Sequence, residues 1–152
     1  MTTTALLTVP TGWQHHPDPA PDVLLAARGG PPPGSGVPPE VVLRRTEVPV
    51  RLDGDLVGWR AAALADLGTL LDSFALEDEE VIDLEGRDVA YARFGHRGVG
   101  ADLVTEQWSW LLGRCGLTLS ATVALEDYAD LCDVLERAAG SVEPGALLAA
   151  VP

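Results

Sequence analysis

Several side chains of catalytic or metal-binding types are present, but none has the spacing that such chemistry needs. Ser35 lies between two glycines, yet the surrounding prolines leave no strand-to-helix turn that would expose its hydroxyl as a nucleophile. His15 and His16 are adjacent, so on a strand they point to opposite faces and do not share a metal ion. Cys115 and Cys132 are two isolated thiols, too few for a zinc site. The sequence therefore predicts no catalytic residue, no metal site and no cofactor, and we expect a protein that is not an enzyme.

A run of acidic residues is the first candidate for a binding surface. It consists of Glu77, Asp78, Glu79 and Glu80. The run lacks the Asp/Asn spacing and the glycine of an EF-hand loop, so calcium binding is not predicted. Two interpretations remain open: a solvated face of the protein, or an electrostatic patch that steers a basic partner.

Two tryptophans form the second candidate. Trp108 and Trp110 are two residues apart on a predicted strand, so both rings project from one face. Val104 continues this stripe and Glu106 interrupts it. The rings either pack in the core under a helix or form a partly exposed platform, where tryptophan is a favoured binding residue. The predicted partner-binding residues are therefore these four together with the acidic run.

The composition excludes several function classes. The chain has 152 residues, 47% of them hydrophobic, which is enough for one domain with its own core. Its 10 basic residues are scattered arginines against 23 acidic residues, a net charge of −13 that argues against nucleic-acid binding and against anionic membranes. The absence of lysine also excludes a P-loop and Schiff-base chemistry.

The cellular compartment is inferred from the first nine residues, the length of the apolar runs and the number of cysteines. The first nine residues have no basic stretch followed by an apolar core, and the apolar runs elsewhere are too short to cross a bilayer. Two cysteines fit a reducing compartment, where they behave as small hydrophobic residues. We expect a cytoplasmic protein with no membrane insertion.

The candidate residues are positioned by a series of short strands and two amphipathic helices. Strand-like patterns are predicted at 6–9 and 13–16, which form an N-terminal hairpin, and at 23–27, 40–48, 79–84, 88–96, 103–114 and 117–125. Helices are predicted at 56–71 and 128–139, and a Pro/Gly-rich loop at 29–39. Short turns between consecutive strands indicate an antiparallel sheet.

The first helix has a predicted buried side. Apolar residues recur at intervals of three and four, with Arg60 and Asp66 on the opposite side. The inward residues are Leu56, Trp59, Ala63, Leu67 and Leu70. Trp13 and Trp59 are expected to attach the hairpin and this helix to the sheet.

Three features together resemble a known family. They are the opening Val9-Pro10-Thr11-Gly12-Trp13, the helix at 55–71, and Gln107-Trp108-Ser109-Trp110 before a threonine-bearing strand and a final helix. This pattern resembles the PsbP/Mog-like superfamily, whose relatives include the LpqN/LpqT and DcrB lipoproteins and the Eag-type chaperones of secretion effectors. The resemblance implies an α+β fold, an α/β/α sandwich around a central antiparallel sheet, as one domain over 1–143 with a flexible tail at 144–152. It also implies a non-enzymatic adaptor, chaperone or assembly factor.

Two hypotheses of function follow. The leading one is a non-catalytic cytoplasmic protein-binding domain, a chaperone or adaptor for a basic or apolar polypeptide of a secretion-system or assembly partner, acting as a monomer or homodimer. The alternative is a carrier of a small hydrophobic ligand in a cavity between the sheet and a helix.

Overall fold

A computed structural model describes residues 2–3 and 7–145 of the chain. The strands are β1 (Thr2–Thr3), β2 (Thr8–Val9), β3 (Gln14–His15), β4 (Val23–Arg28), β5 (Glu40–Glu47), β6 (Ala75–Leu84), β7 (Arg87–Gly98), β8 (Ala101–Leu112) and β9 (Cys115–Ala124). The helices are α1 (Leu56–Leu70) and α2 (Tyr128–Gly140), each preceded by a short 3₁₀ turn. The predicted tail at 144–152 lies outside the described residues except for its first two.

Seven strands form one antiparallel sheet in the order β3-β4-β5-β9-β8-β7-β6, and β1 pairs with β2 in a separate hairpin. Strands β6 to β9 are consecutive neighbours joined by tight turns. In the turn between β6 and β7, Glu85 and Gly86 both have positive φ, 54° and 81°, as the twist of a two-residue hairpin loop requires. The predicted antiparallel sheet is confirmed.

The two helices cover opposite faces of this sheet. On the α2 face, Leu135 and Ala138 join the main core with the rings of Trp108 and Trp110. On the α1 face, Leu64 packs in a smaller cluster with Ala92 and Phe94. The predicted α/β/α sandwich with two main helices is therefore confirmed.

The N-terminal hairpin has a different pairing from the predicted one. Residues 6–9 and 13–16 were expected to pair with each other. Instead β2 pairs with β1, and Gln14 and His15 pair with β4 at the edge of the main sheet. The turn chemistry at Pro10 to Gly12 turns the chain, with the Trp13 amide donating to the Pro10 carbonyl at 3.2 Å. A local turn does not decide which longer-range strand the chain then meets.

The buried side of helix α1 matches its apolar pattern in part, since Trp59 is buried and Leu56, Ala63 and Leu67 are half-buried. Arg60, expected to face solvent, is 7% exposed, whereas Leu70, expected to face the core, is 77% exposed. The reason lies in the sheet beneath it, where six polar side chains of β8 and β9 pair across the strands. This polar ladder consists of Thr105 with Thr122, Gln107 with Ser120, and Ser109 with Thr118, at 2.8 to 3.0 Å.

The start of α1 is held by a close contact with the sheet. Trp59 packs with Val48 and Leu52, and its ring lies directly on the backbone of Gly116 in β9. Asp55 caps the helix by accepting a hydrogen bond from the Gly58 amide at 2.9 Å. The tryptophan is thus the anchor predicted for this helix.

Replacing Gly116 by alanine tests this anchor. The new Cβ atom would lie 2.5 Å from the Trp59 ring, so the ring and the start of α1 must move. We expect Gly116→Ala to lower the free energy of unfolding by about 1–3 kcal/mol, measured by urea denaturation. Gly30→Ala is the matched control because the space around Gly30 is open. Equal stability of the two variants would contradict the anchoring role.

Candidate functional site

The predicted tryptophan stripe is part of the core. Trp108 and Trp110 are 3% and 2% exposed, and Val104 and Glu106 are 3% and 5% exposed. Of the two interpretations, packing under a helix is confirmed and the exposed aromatic platform is wrong. The alternation along β8 correctly placed the rings on one face, but it carries no information about what covers that face. These four residues do not offer a binding surface in this structure.

The acidic run, by contrast, lies on the surface. It belongs entirely to β6, which begins at Ala75, four residues before the predicted start, and forms one edge of the main sheet. Glu77, Glu79 and Glu80 are exposed, and Asp78 is partly exposed. Within residues 7–145, Glu77 pairs with Arg93 at 3.5 Å, while Glu79 and Glu80 form no ion pair. A concentrated and largely uncompensated negative charge therefore follows the edge strand.

An apolar notch adjoins this edge. It is a cavity of about 230 Å³ between α1 and the outer strands β6 and β7. Val57 of α1 and Val81 of β6 line it and are 62% and 50% exposed. Glu79 shares the face of Val81, since they pair with Ala92 and Ala90 on the side that α1 covers. We call β6 together with this notch the edge site.

Two predicted residues, Glu106 and Glu77, belong to one polar cluster on the α2 face, since Arg93, the ion-pair partner of Glu77, also acts on the charge of Glu106. The Tyr91 hydroxyl donates to one oxygen of Glu106, and burial raises the pKa of Tyr91, so the phenol remains the donor. Arg93, which pairs with Glu77, lies over the Tyr128 ring at 5.6 Å and donates to its hydroxyl at 3.4 Å. The cluster ties β6, β7, β8 and α2 together.

Glu106 is the one acidic member of this cluster that is buried. Its second carboxylate oxygen, Oε1, is buried without a hydrogen-bond partner. Burial raises the pKa of Glu106, although the hydrogen bond from Tyr91 opposes the shift. A buried carboxyl in this position is held by packing rather than exposed for binding.

The described residues contain no arrangement suited to a metal ion or to a membrane span. In residues 2–3 and 7–145, no three His, Cys, Asp or Glu side chains are placed to hold a metal. None of the helices in this part of the chain is long and apolar enough to cross a membrane.

Comparison of the sequence finds no match, but several solved structures have a similar fold. No protein-family model matches the sequence, and no curated protein does either. A Pseudomonas aeruginosa protein of unknown function, suggested to be a regulator, superposes with a TM-score of 0.69 at 15% identity, covering 87% of this chain and 96% of that one.

Two further solved structures carry informative names. LpqN of Mycobacterium tuberculosis, involved in cell envelope biogenesis, has a TM-score of 0.61 at 18% identity and covers 87% of this chain and 78% of its own. Cyanobacterial PsbP from Synechocystis has a TM-score of 0.62 at 16% identity and covers 93% and 94%. The chain has the PsbP-like fold. The predicted resemblance is confirmed at the level of the fold.

Two features of the edge site, its notch and the edge position of β6, were not predicted from the sequence. The notch beside β6 depends on how far α1 stands from the outer strands of this PsbP-like sheet, and residue periodicity does not report that distance. The edge position of β6 depends on the order of strands in the sheet. In a meander of four strands, the first strand has a neighbour on only one side unless another strand joins it. That signal was available in the sequence.

Replacing Glu106 by glutamine tests the burial of its charge. Because the pKa is raised in the folded state, the wild-type protein gains stability from protonation below the unfolded pKa and loses it as pH rises through the folded pKa. We expect Glu106→Gln to be more stable relative to wild type at about pH 7.5 than at about pH 4, measured by urea denaturation at both values.

The control for this measurement is Glu80→Gln, which also removes one acidic group but from an exposed position on β6. A stability difference between Glu106→Gln and wild type that does not change with pH would show that the Glu106 carboxyl is not destabilised by burial.

Proposed function

We propose that the protein is a non-catalytic polypeptide-binding domain, an adaptor or chaperone that acts in the cytoplasm. Its partner segment adds to the sheet as an extra strand beside β6. The observation that carries this proposal is the edge site itself: a ten-residue strand at the sheet edge, bordered by an apolar notch. Main-chain hydrogen bonds supply affinity in such strand addition, and pockets for alternate side chains supply specificity.

Charge complementarity identifies the kind of segment that fits. Five of the ten residues of β6 are acidic and none is basic. A partner strand with basic side chains neutralises this charge, whereas an acidic one is repelled by the strand and by the net charge of −13. Apolar side chains alternating with the basic ones suit the notch, because Val57 and Val81 leave apolar surface open there. The expected partner is therefore an extended segment of alternating basic and apolar residues.

The related structures support binding rather than catalysis. Their names describe a suggested regulator, an envelope-biogenesis protein and a PsbP protein, and none of these names is that of an enzyme. These proteins share the fold at 15–18% identity, so their partners are not transferred to this chain.

A peptide of alternating lysine and valine, seven residues long, tests the edge site. We expect it to bind by fluorescence anisotropy and to bind more weakly at high salt, because exposed charge pairs are screened. The double variant Asp78→Asn/Glu80→Gln removes two charges from the face of β6 that points away from the notch, and it is expected to raise the Kd by about tenfold, since each exposed charge pair contributes up to about 1 kcal/mol. Asp130→Asn/Asp133→Asn on α2 removes the same charge elsewhere and is expected to leave the Kd unchanged.

Backbone methylation separates strand addition from simple charge attraction. The same peptide, N-methylated at alternate residues, keeps its charge but loses the amide donors needed to pair with β6. We expect it to bind at least about tenfold more weakly. Equal binding of the two peptides, or no binding by the unmodified one, would overturn the proposal.

The alternative function, a carrier of a small hydrophobic ligand, is less well supported. A groove of about 410 Å³ does lie between α1 and the sheet. However, its floor includes Gln107, Thr118 and Ser120 of the polar ladder, and these side chains do not suit a wholly apolar ligand.

A further inference from the structure

The groove beside α1 has an unusual concentration of positive charge. It is bounded by α1, the end of β5 and the 3₁₀ turn that follows, with strands β8 and β9 as its floor. Three of the ten arginines of this acidic protein line it, namely Arg44, Arg51 and Arg60, against one carboxylate, that of Asp66. In a chain with a net charge of −13, this is a local reversal of sign.

Arg60 is the central residue of this groove. It is 7% exposed, and its guanidinium donates to the side-chain oxygen of Gln107 and lies 5.0 Å from the centre of the Trp59 ring. No carboxylate within residues 7–145 pairs with it. Burial lowers the pKa of Arg60 to about 10, so the group is still charged at neutral pH. A guanidinium has five N–H donors, and a buried one without an anion is costly.

The other two arginines have room to act with it. Arg51 is exposed and forms no ion pair in the described part of the chain. Arg44 is half-exposed and reaches Asp22 only at 4.0 Å. Neither is committed to a strong internal pair.

We propose that this groove binds a small amphipathic carboxylate. The carboxylate pairs with Arg60, with Arg44 and Arg51 at the rim, and the apolar part packs against Trp59, Leu52 and Leu67. The planar fork of a guanidinium matches the two oxygens of a carboxylate. The volume of about 410 Å³ falls within the range of about 300–1,000 Å³ that is usual for small-molecule sites.

A single negative charge fits this groove better than two. The lining also includes the carboxylate of Asp66, which opposes a second negative charge on the ligand. The acidic surface of the rest of the protein also repels a dianion more strongly. Arg60 is the one lining residue that this groove shares with the notch of the edge site, while the other residues of the two linings differ.

Calorimetric titration with 4-phenylbutyrate tests the groove directly. We expect 4-phenylbutyrate to bind the full chain and the neutral 4-phenylbutanamide to bind at least about tenfold more weakly, because only the acid pairs with Arg60. Tighter binding of phenyl phosphate than of 4-phenylbutyrate would overturn the choice of a carboxylate. Equal binding of acid and amide would overturn the role of charge.

Two variants identify Arg60 as the binding group. Arg60→Met keeps an unbranched apolar stem but removes the guanidinium, and we expect the Kd for 4-phenylbutyrate to rise at least about tenfold, with the Tm measured to show that the variant is folded. Arg137→Met, an exposed position on α2, is the matched control and is expected to bind as wild type does. A wild-type Kd for Arg60→Met would overturn the proposal.

Gln107→Glu provides a variant that is expected to fold, because the Ser120 hydroxyl, which accepts from the Gln107 amide, can turn to donate to the new carboxylate. The new carboxylate would stand where the Gln107 oxygen already accepts from Arg60 and would occupy the place of the ligand's acid group. We expect a higher Tm together with loss of 4-phenylbutyrate binding. A Gln107→Glu protein that is well folded and binds 4-phenylbutyrate as tightly as wild type would equally contradict the assignment.

Discussion

The pairing of β8 with β9 is the interaction on which the rest of the structure depends. One face of this pair is apolar, with Trp108, Trp110, Leu117 and Leu119, and all four side chains are buried. The other face presents the polar ladder, whose hydroxyl and amide groups satisfy one another across the strands. The two faces therefore offer different packing to the helices that cover them. Helix α2 meets an ordinary core, whereas α1 meets a surface that must keep its hydrogen bonds.

The way α1 is held follows from this difference. Contact with the sheet is apolar near the start of the helix, at Trp59 over Gly116, and in its middle, at Leu64 near Phe94. The polar ladder lies between these contacts. Arg60 is therefore buried beneath the helix, where it donates to the Gln107 side chain and lies over the Trp59 ring. A wholly apolar sheet face would favour closer packing and would leave no groove beside the helix.

The sequence predicted those features that depend on local pattern. The alternation at 117–125 identified a central strand, and the spacing of apolar residues identified both helices. On α1 the predicted inward positions of Trp59, Ala63 and Leu67 agree with the structure, whereas the buried Arg60 and the exposed Leu70 do not, because apolar periodicity assumes an apolar partner surface. The alternation of Thr105, Gln107 and Ser109 with the tryptophan stripe was the signal of a polar sheet face. Coverage of the tryptophans, the pairing of β2 and the width of the groove depend on contacts distant in sequence.

Strand β6 also has a consequence for how copies of this chain meet one another. A long sheet edge is a hazard because it templates pairing with a second identical edge. Here two β6 strands brought side by side would set five carboxylates against another five, and among residues 7–145 one of the five is offset by an ion pair with Arg93 of the neighbouring strand. Repulsion of this kind closes the edge to self-assembly while leaving it open to chains of opposite sign. The acidic side chains of β6 thus protect the edge against aggregation. This protection weakens when the carboxylates are protonated or screened by salt.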